Sequence, residues 1–201
     1  MRFIKHWKAV LCSLSIVATV FLVWDAIFTA NGVWGFNPDY HLNILLFGMP
    51  IEEWLFFFCI PYASIFIHYS LAYFKPTLLI SEKITKYITV FFILILLPVI
   101  FLNTDKAYTF VNYSFVVFIL ILGFFFGIKQ LQRFYISFLI ILIPFFIVNG
   151  ILTGTGIDEP VVWYNNAENL GMRLGTIPVE DIGYAFTMLF GNVLLIERFR
   201  K

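Results

Sequence analysis

Two short stretches place carboxylic acids in some of the most apolar parts of this chain. Residues 45–58, LLFGMPIEEWLFFF, carry Glu52 and Glu53, and residues 174–186, LGTIPVEDIGYAF, carry Glu180 and Asp181. Each follows the pattern proline, aliphatic, acid, acid: Pro50 to Glu53 and Pro178 to Asp181. Two readings share this pattern. In the first, proline suits a first helical turn and the acids are stabilised by the positive end of the helix dipole. In the second, a carboxyl at the edge of hydrocarbon is a proton donor or acceptor, because desolvation favours its neutral form. Acids at membrane depth are costly, which marks all four as candidate catalytic residues.

Helical spacing states what these acids face. Glu52 shares a stripe with Phe56, Cys59, Ala63 and Phe66, and Glu53 with Phe57, Ile60 and Ser64. Glu180 lines up with Tyr184, Thr187 and Gly191, and Asp181 with Ala185, Met188 and Asn192. An acid above aromatic faces can protonate an alkene, and the ring quadrupoles then stabilise the cation. Phe56, Phe57 and Tyr184 are therefore candidate substrate contacts, although with 26 phenylalanines in the chain such a stripe is more often lipid contact or core. Asp25 and Asn149 occupy matching positions near helix ends. They either hydrogen-bond the motif acids beside the substrate or serve as caps. His68 lies far from both motifs and reads as structural. Cys12 and Cys59 read as small core residues with no disulfide.

The elements that hold these residues are membrane spans. The 201 residues are 61% hydrophobic, 20% aromatic and 12% charged, where a soluble domain is about a quarter charged. A net charge of +1 with no basic run argues against a nucleic-acid partner. Six stretches have the length of a span, about 20 apolar residues: 8–29, 50–74, 86–103, 109–128, 133–153 and 178–197. The basic start reads as the flank of a retained span rather than a cleaved signal. Of the 13 Lys and Arg, all but Lys106 and Arg173 fall on one side when the spans alternate. The positive-inside rule makes that side, with both termini, cytoplasmic. Of the 12 acids, only Glu82 and Glu197 lie there.

The chain also repeats itself. Residues 25–32 match 149–156 at an offset of 124, and 50–53 match 178–181 at an offset of 128. Four crossings separate the copies, so the duplication is parallel. The expected organisation is a first repeat over 1–85, a linker helix over 86–105 and a second repeat over 106–201. The second repeat has a helix before its basic turn that the first lacks, so a full duplication would have seven helices. The fold class is all-α: a polytopic membrane bundle with six spans.

The runs WDAIFTANGVWGFNPDY, MPIEEWLFFFCIPYASIF and IPVEDIGYAFTMLFGNVLLIE together resemble the small integral-membrane carotenoid (lycopene) cyclases, here as a fused tandem of two cyclase domains. The resemblance covers most of the chain and departs from the family at the absent first helix. It implies β-cyclisation of the ψ-ends of lycopene through γ-carotene to β-carotene, in a bacterial cytoplasmic membrane, with Glu52, Glu53, Glu180 and Asp181 important. It implies an isomerase with no net redox change, no cofactor and no metal. Its partners would be a C40 carotenoid, the bilayer, and other pathway enzymes or a second copy. GTGIDEP lacks the third glycine of a dinucleotide fingerprint, so a flavin-type cyclase does not fit. A transporter would carry polar groups along a path through the membrane middle, and these spans are apolar there. A retinal protein needs a lysine within a span, and every lysine here is terminal or in a loop. A carotenoid-binding or assembly protein of the same family without catalysis is the remaining alternative.

Overall fold

The computed structural model describes residues 6–200. Six helices are long and apolar enough to cross a membrane: α1 (Trp7–Ala30), α2 (Ile51–Phe74), α3 (Glu82–Leu102), α4 (Ala107–Phe126), α5 (Ile128–Leu152) and α6 (Glu180–Phe199). Their order and number match the expected spans. The largest boundary difference is at α5. The polar run KQLQR, expected to be a break, is its first turns. Those polar groups are satisfied by the α2–α3 connection: Gln132 donates to the Ile80 carbonyl at 2.9 Å and Arg133 to that of Pro76 at 2.8 Å. Gly127 alone separates α4 from α5, where a Cβ would run into Leu194.

Helix α4 packs against α3 and α6, and α1 against α2 and α6. One apolar core joins α4, α5 and α6 through Leu120, Phe134, Phe138, Phe186 and Phe190. Another joins α1, α2 and the loops through Phe21, Trp24, Phe28, Trp34 and Phe57. Helix α3 is peripheral, burying only Thr85, Thr89 and Ile100. Cys12 and Cys59 are exposed on their helices, so they face outward rather than forming core. His68 is buried and shares a 2.6 Å hydrogen bond with Ser137.

At the acid end the two long loops meet. Strands β1 (Trp34–Phe36) and β4 (Val162–Tyr164) form an antiparallel ribbon with Gly35 opposite Trp163. A Cβ on Gly35 would collide with the Trp163 indole, so glycine is required at this crossing. The ribbon is its own equivalent at an offset of 128 residues: the pair Trp34–Tyr164 maps onto Phe36–Val162. The flanking bonds follow, with Asn37 N–H donating to the Val161 carbonyl and Asn165 N–H to that of Val33, each at 2.9 Å. A local two-fold axis therefore passes through Gly35 and Trp163. The change of offset from 124 to 128 is thereby located in the four extra residues 157–160 of the second loop.

Each loop ends in a hairpin: β2 (Leu45–Leu46) with β3 (Met49–Pro50), and β5 (Arg173–Leu174) with β6 (Ile177–Pro178). The first turn has φ of 54° at Phe47 and 79° at Gly48, and the second has 66° at Gly175. These are the turns whose twist suits two-residue hairpins. The motif prolines close the hairpins rather than opening the helices. Pro50 precedes α2 in extended conformation, and Val179 separates Pro178 from α6. The four acids still occupy the first turns of α2 and α6.

Candidate functional site

The two acids of each motif point to different tasks. The first acid ties down its own hairpin loop. Glu52 Oε1 accepts from the Leu42 N–H at 2.9 Å, and Glu180 Oε1 accepts from the Leu170 N–H at 2.8 Å. These two bonds are equivalent at the offset of 128. Glu180 is fully buried beneath α4, where Thr109 donates to the same oxygen at 2.7 Å and Asn112 to the Glu180 carbonyl. Glu52 has no helix at the corresponding place and is half-buried.

The second acids, Glu53 and Asp181, both line a cavity of about 190 Å³ between α2 and α5. Asp181 is buried and receives three donors: Tyr108 at 2.6 Å, Tyr164 at 3.0 Å and Asn149 at 3.2 Å. Burial, followed by the nearby Asp181 carboxylate, pushes the Tyr164 hydroxyl well above the usual phenol range, so it remains a donor. Glu53 is half-buried and lies within electrostatic reach of Asp25. Asp25 is buried, and its Oδ1 accepts from the Trp34 indole and, at 3.2 Å, from Thr29. Asp25 and Asn149, matched in the repeat, both line the cavity. Their partners differ: Asn149 donates to the motif acid of its own half, whereas Asp25 accepts from the loop.

Aromatic rings close the acid end of the cavity. The ribbon presents Trp34, Phe36, Val162 and Tyr164 to it, alternate residues of one face. Tyr108 stacks on Tyr164 at 5.9 Å between centroids, and Trp34 meets Tyr108 edge-on at 5.1 Å. Tyr184 lies edge-on to Phe21 at 4.9 Å and lines the same space. From Glu53 the cavity runs along Phe56, Ile60, Ala63 and Ile67 of α2, about 21 Å at 1.5 Å per residue. Pro144 of α5 lines it, and Ile60 and Ala63 flank Pro61 of α2. Phe56 therefore lies on the wall. Phe57 points away from it and is buried against Phe21, at 6.5 Å, and Phe56, at 5.9 Å.

The local two-fold axis would generate a second such space between α1 and α6. Side chains fill it. At the positions of Val148 and Leu152 in α5, α1 has Trp24 and Phe28, offset by 124. Trp24 packs at 4.9 Å from Tyr184 and 5.6 Å from Phe28, and both are buried. Ser13 then seals α1 to α6 with a 2.8 Å bond to Asn192. At the acid end, the described residues thus hold two copies of a motif and one open cavity, to which each copy sends its second acid.

Sequence reasoning missed Trp34, Tyr108 and Tyr164 as members of this site. Trp34 and Tyr164 sit in loops whose pairing no periodicity reveals. Tyr108 begins α4, the helix outside the matched repeat. The two acids that face this apolar space are held differently: Asp181 accepts from three donors, whereas the Glu53 carboxyl has no hydrogen-bond donor among the described residues. That pairing suits proton delivery at one point and proton removal at another.

A family model described as lycopene cyclase matches residues 2–71 and 105–199, well over half of the chain. No curated protein and no solved structure matches it.

Proposed function

From the premise that this chain belongs to the lycopene cyclase family, which gives it a carotenoid-cyclase role, we propose that it is a lycopene β-cyclase with Glu53 as acid and Asp181 as base. Glu53 protonates C2 of the ψ-end, the C5=C6 alkene attacks the C1 cation, and Asp181 takes the C6 proton. One proton is added and one is lost, so the product is an isomer and the step needs no redox partner. Trp34, Tyr108 and Tyr184 surround the cation with π-faces. Asp25 orients Glu53, Asn149 and Tyr164 hold Asp181, and Phe56 flanks the polyene. Phe57 acts from behind by fixing Phe56. Glu52 and Glu180 brace the hairpins and take no proton from the substrate.

The observation that carries this reading is the convergence of two differently bonded acids, one from each repeat, on one aromatic-capped cavity. The arrangement of a first repeat over 1–85, a linker helix over 86–105 and a second repeat over 106–201 belongs to the same proposal. So does placement in a bacterial cytoplasmic membrane with both termini inside, which the basic residues at one end support.

Pigment chromatography tests it. Expressed in a lycopene-accumulating bacterium, the chain is expected to yield γ- and β-carotene. Glu53→Gln and Asp181→Asn each lower the yield about 100-fold or more, the usual range for losing an acid–base group. Unchanged lycopene beside well-inserted wild-type protein would replace this proposal with a carotenoid-binding role.

A further inference from the structure

At the end of the bundle opposite the acids, a second cavity of about 440 Å³ opens where α1, α2, α5 and α6 converge. Lys129 and Arg133 reach it from α5, and Arg200 from the end of α6. Glu197 is the one acid in its wall. That carboxylate is already engaged, accepting from Tyr69 at 2.8 Å and from Arg200 at 2.7 Å. Arg133 donates to the carbonyls of Lys75 and Pro76, which fix the guanidinium and leave its charge uncancelled. Among the described residues, the ion pairs are Lys86–Glu82 and Arg200–Glu197; Lys129 lies within electrostatic reach of Glu82, outside the cavity, without pairing to it, and Arg133 forms no ion pair.

The cavity therefore holds three cations against one acid. Its wall is mixed: its neutral polar groups include His68, bonded to Ser137, and Gln130, beside Ala72 and Ile196, so a headgroup and the start of an acyl chain both find partners there. Beside the opening stands Tyr73, more than half exposed. An aromatic ring next to a basic recess at the end of membrane spans marks the depth of lipid headgroups. Clustered Lys and Arg between helix ends match the charge and the acceptor oxygens of a phosphate ester.

We propose that this cavity binds the phosphate of an anionic phospholipid, with the headgroup among Lys129, Arg133 and Arg200. The site is separate from the acid-lined cavity, and it stands whether or not the cyclase reading does.

The test uses the full chain, purified and stripped of lipid in detergent, with native mass spectrometry as the readout. Phosphatidylglycerol is expected to be retained in preference to phosphatidylcholine of the same acyl chains. Lys129→Glu and Arg200→Glu each lower that retention by at least about fivefold, since one cation near the surface contributes about 1 kcal/mol. Lys129→Gln, which adds no repulsion to the fold, gives a smaller loss in the same direction. Lys83→Glu changes the charge equally at the same end but outside the cavity, and leaves retention unchanged. Displacement of phosphatidylglycerol by glycerol 3-phosphate, with the same variant dependence, would support the site and assign it to a free phosphate ester. Equal retention of the two lipids, or a preference that survives both Lys129→Glu and Arg200→Glu, would overturn the proposal.

Discussion

At the scale of residues, adjacent acids of one motif have separate duties, and their variants should fail differently. Glu180→Ala leaves the Leu170 N–H and the Thr109 hydroxyl without their buried acceptor. That costs about 2 kcal/mol or more, a fall of about 4 °C or more in melting temperature for a chain this size. Glu52→Ala removes one bond from a half-exposed loop and should leave melting unchanged. Differential scanning fluorimetry in detergent measures both. Tyr164→Phe keeps the stacking on Tyr108 and removes one donor from Asp181. Its expected result is intact protein with activity lowered about tenfold, the value of one hydrogen bond to a charged group. The pair of acids was legible from sequence because carboxyls are rare in apolar runs. Their division of labour was not, because it depends on whether a given carboxyl turns toward the loop or the cavity. One helical position, about 100°, decides that.

Among the elements, the helices were readable within a few residues because hydropathy and span length constrain them together. The α5 boundary was misplaced because KQLQR looks like a loop until its partners on the α2–α3 connection are known. The loops carried the largest surprise: two segments with no strand pattern pair into the ribbon that roofs the cavity. Long-range pairing of three-residue strands leaves almost no local signal. The elements also explain why one cavity is open. Val148 and Leu152 on α5 leave room where Trp24 and Phe28 on α1 do not. Val148→Trp therefore copies the closed half into the open one. The variant is expected to insert and melt like the parent while conversion of lycopene falls below detection, as measured by pigment chromatography beside circular dichroism. Retained conversion would mean that the substrate does not use this cavity.

For the whole molecule, a local two-fold relation holds in the backbone of the ribbon and hairpins and is broken in the side chains. The ribbon, the hairpins and the loop-bracing glutamates obey the two-fold relation, whereas the space between α1 and α6 is packed shut. A cyclase built this way works on one end of its substrate at a time. In a time course, γ-carotene should rise before β-carotene and then decline. β-Carotene formed without a γ-carotene lag would contradict single-site operation. The broken symmetry thus turns product identity into a matter of timing. For both ends to be cyclised as proposed, the molecule must leave, reverse and return after the first ring closes. Each departure is a contest between re-entry and loss to the surrounding lipid or to a competing catalyst. The ratio of one-ring to two-ring product would then follow the abundance of the enzyme and the crowding of the membrane, with no change in any residue of the site.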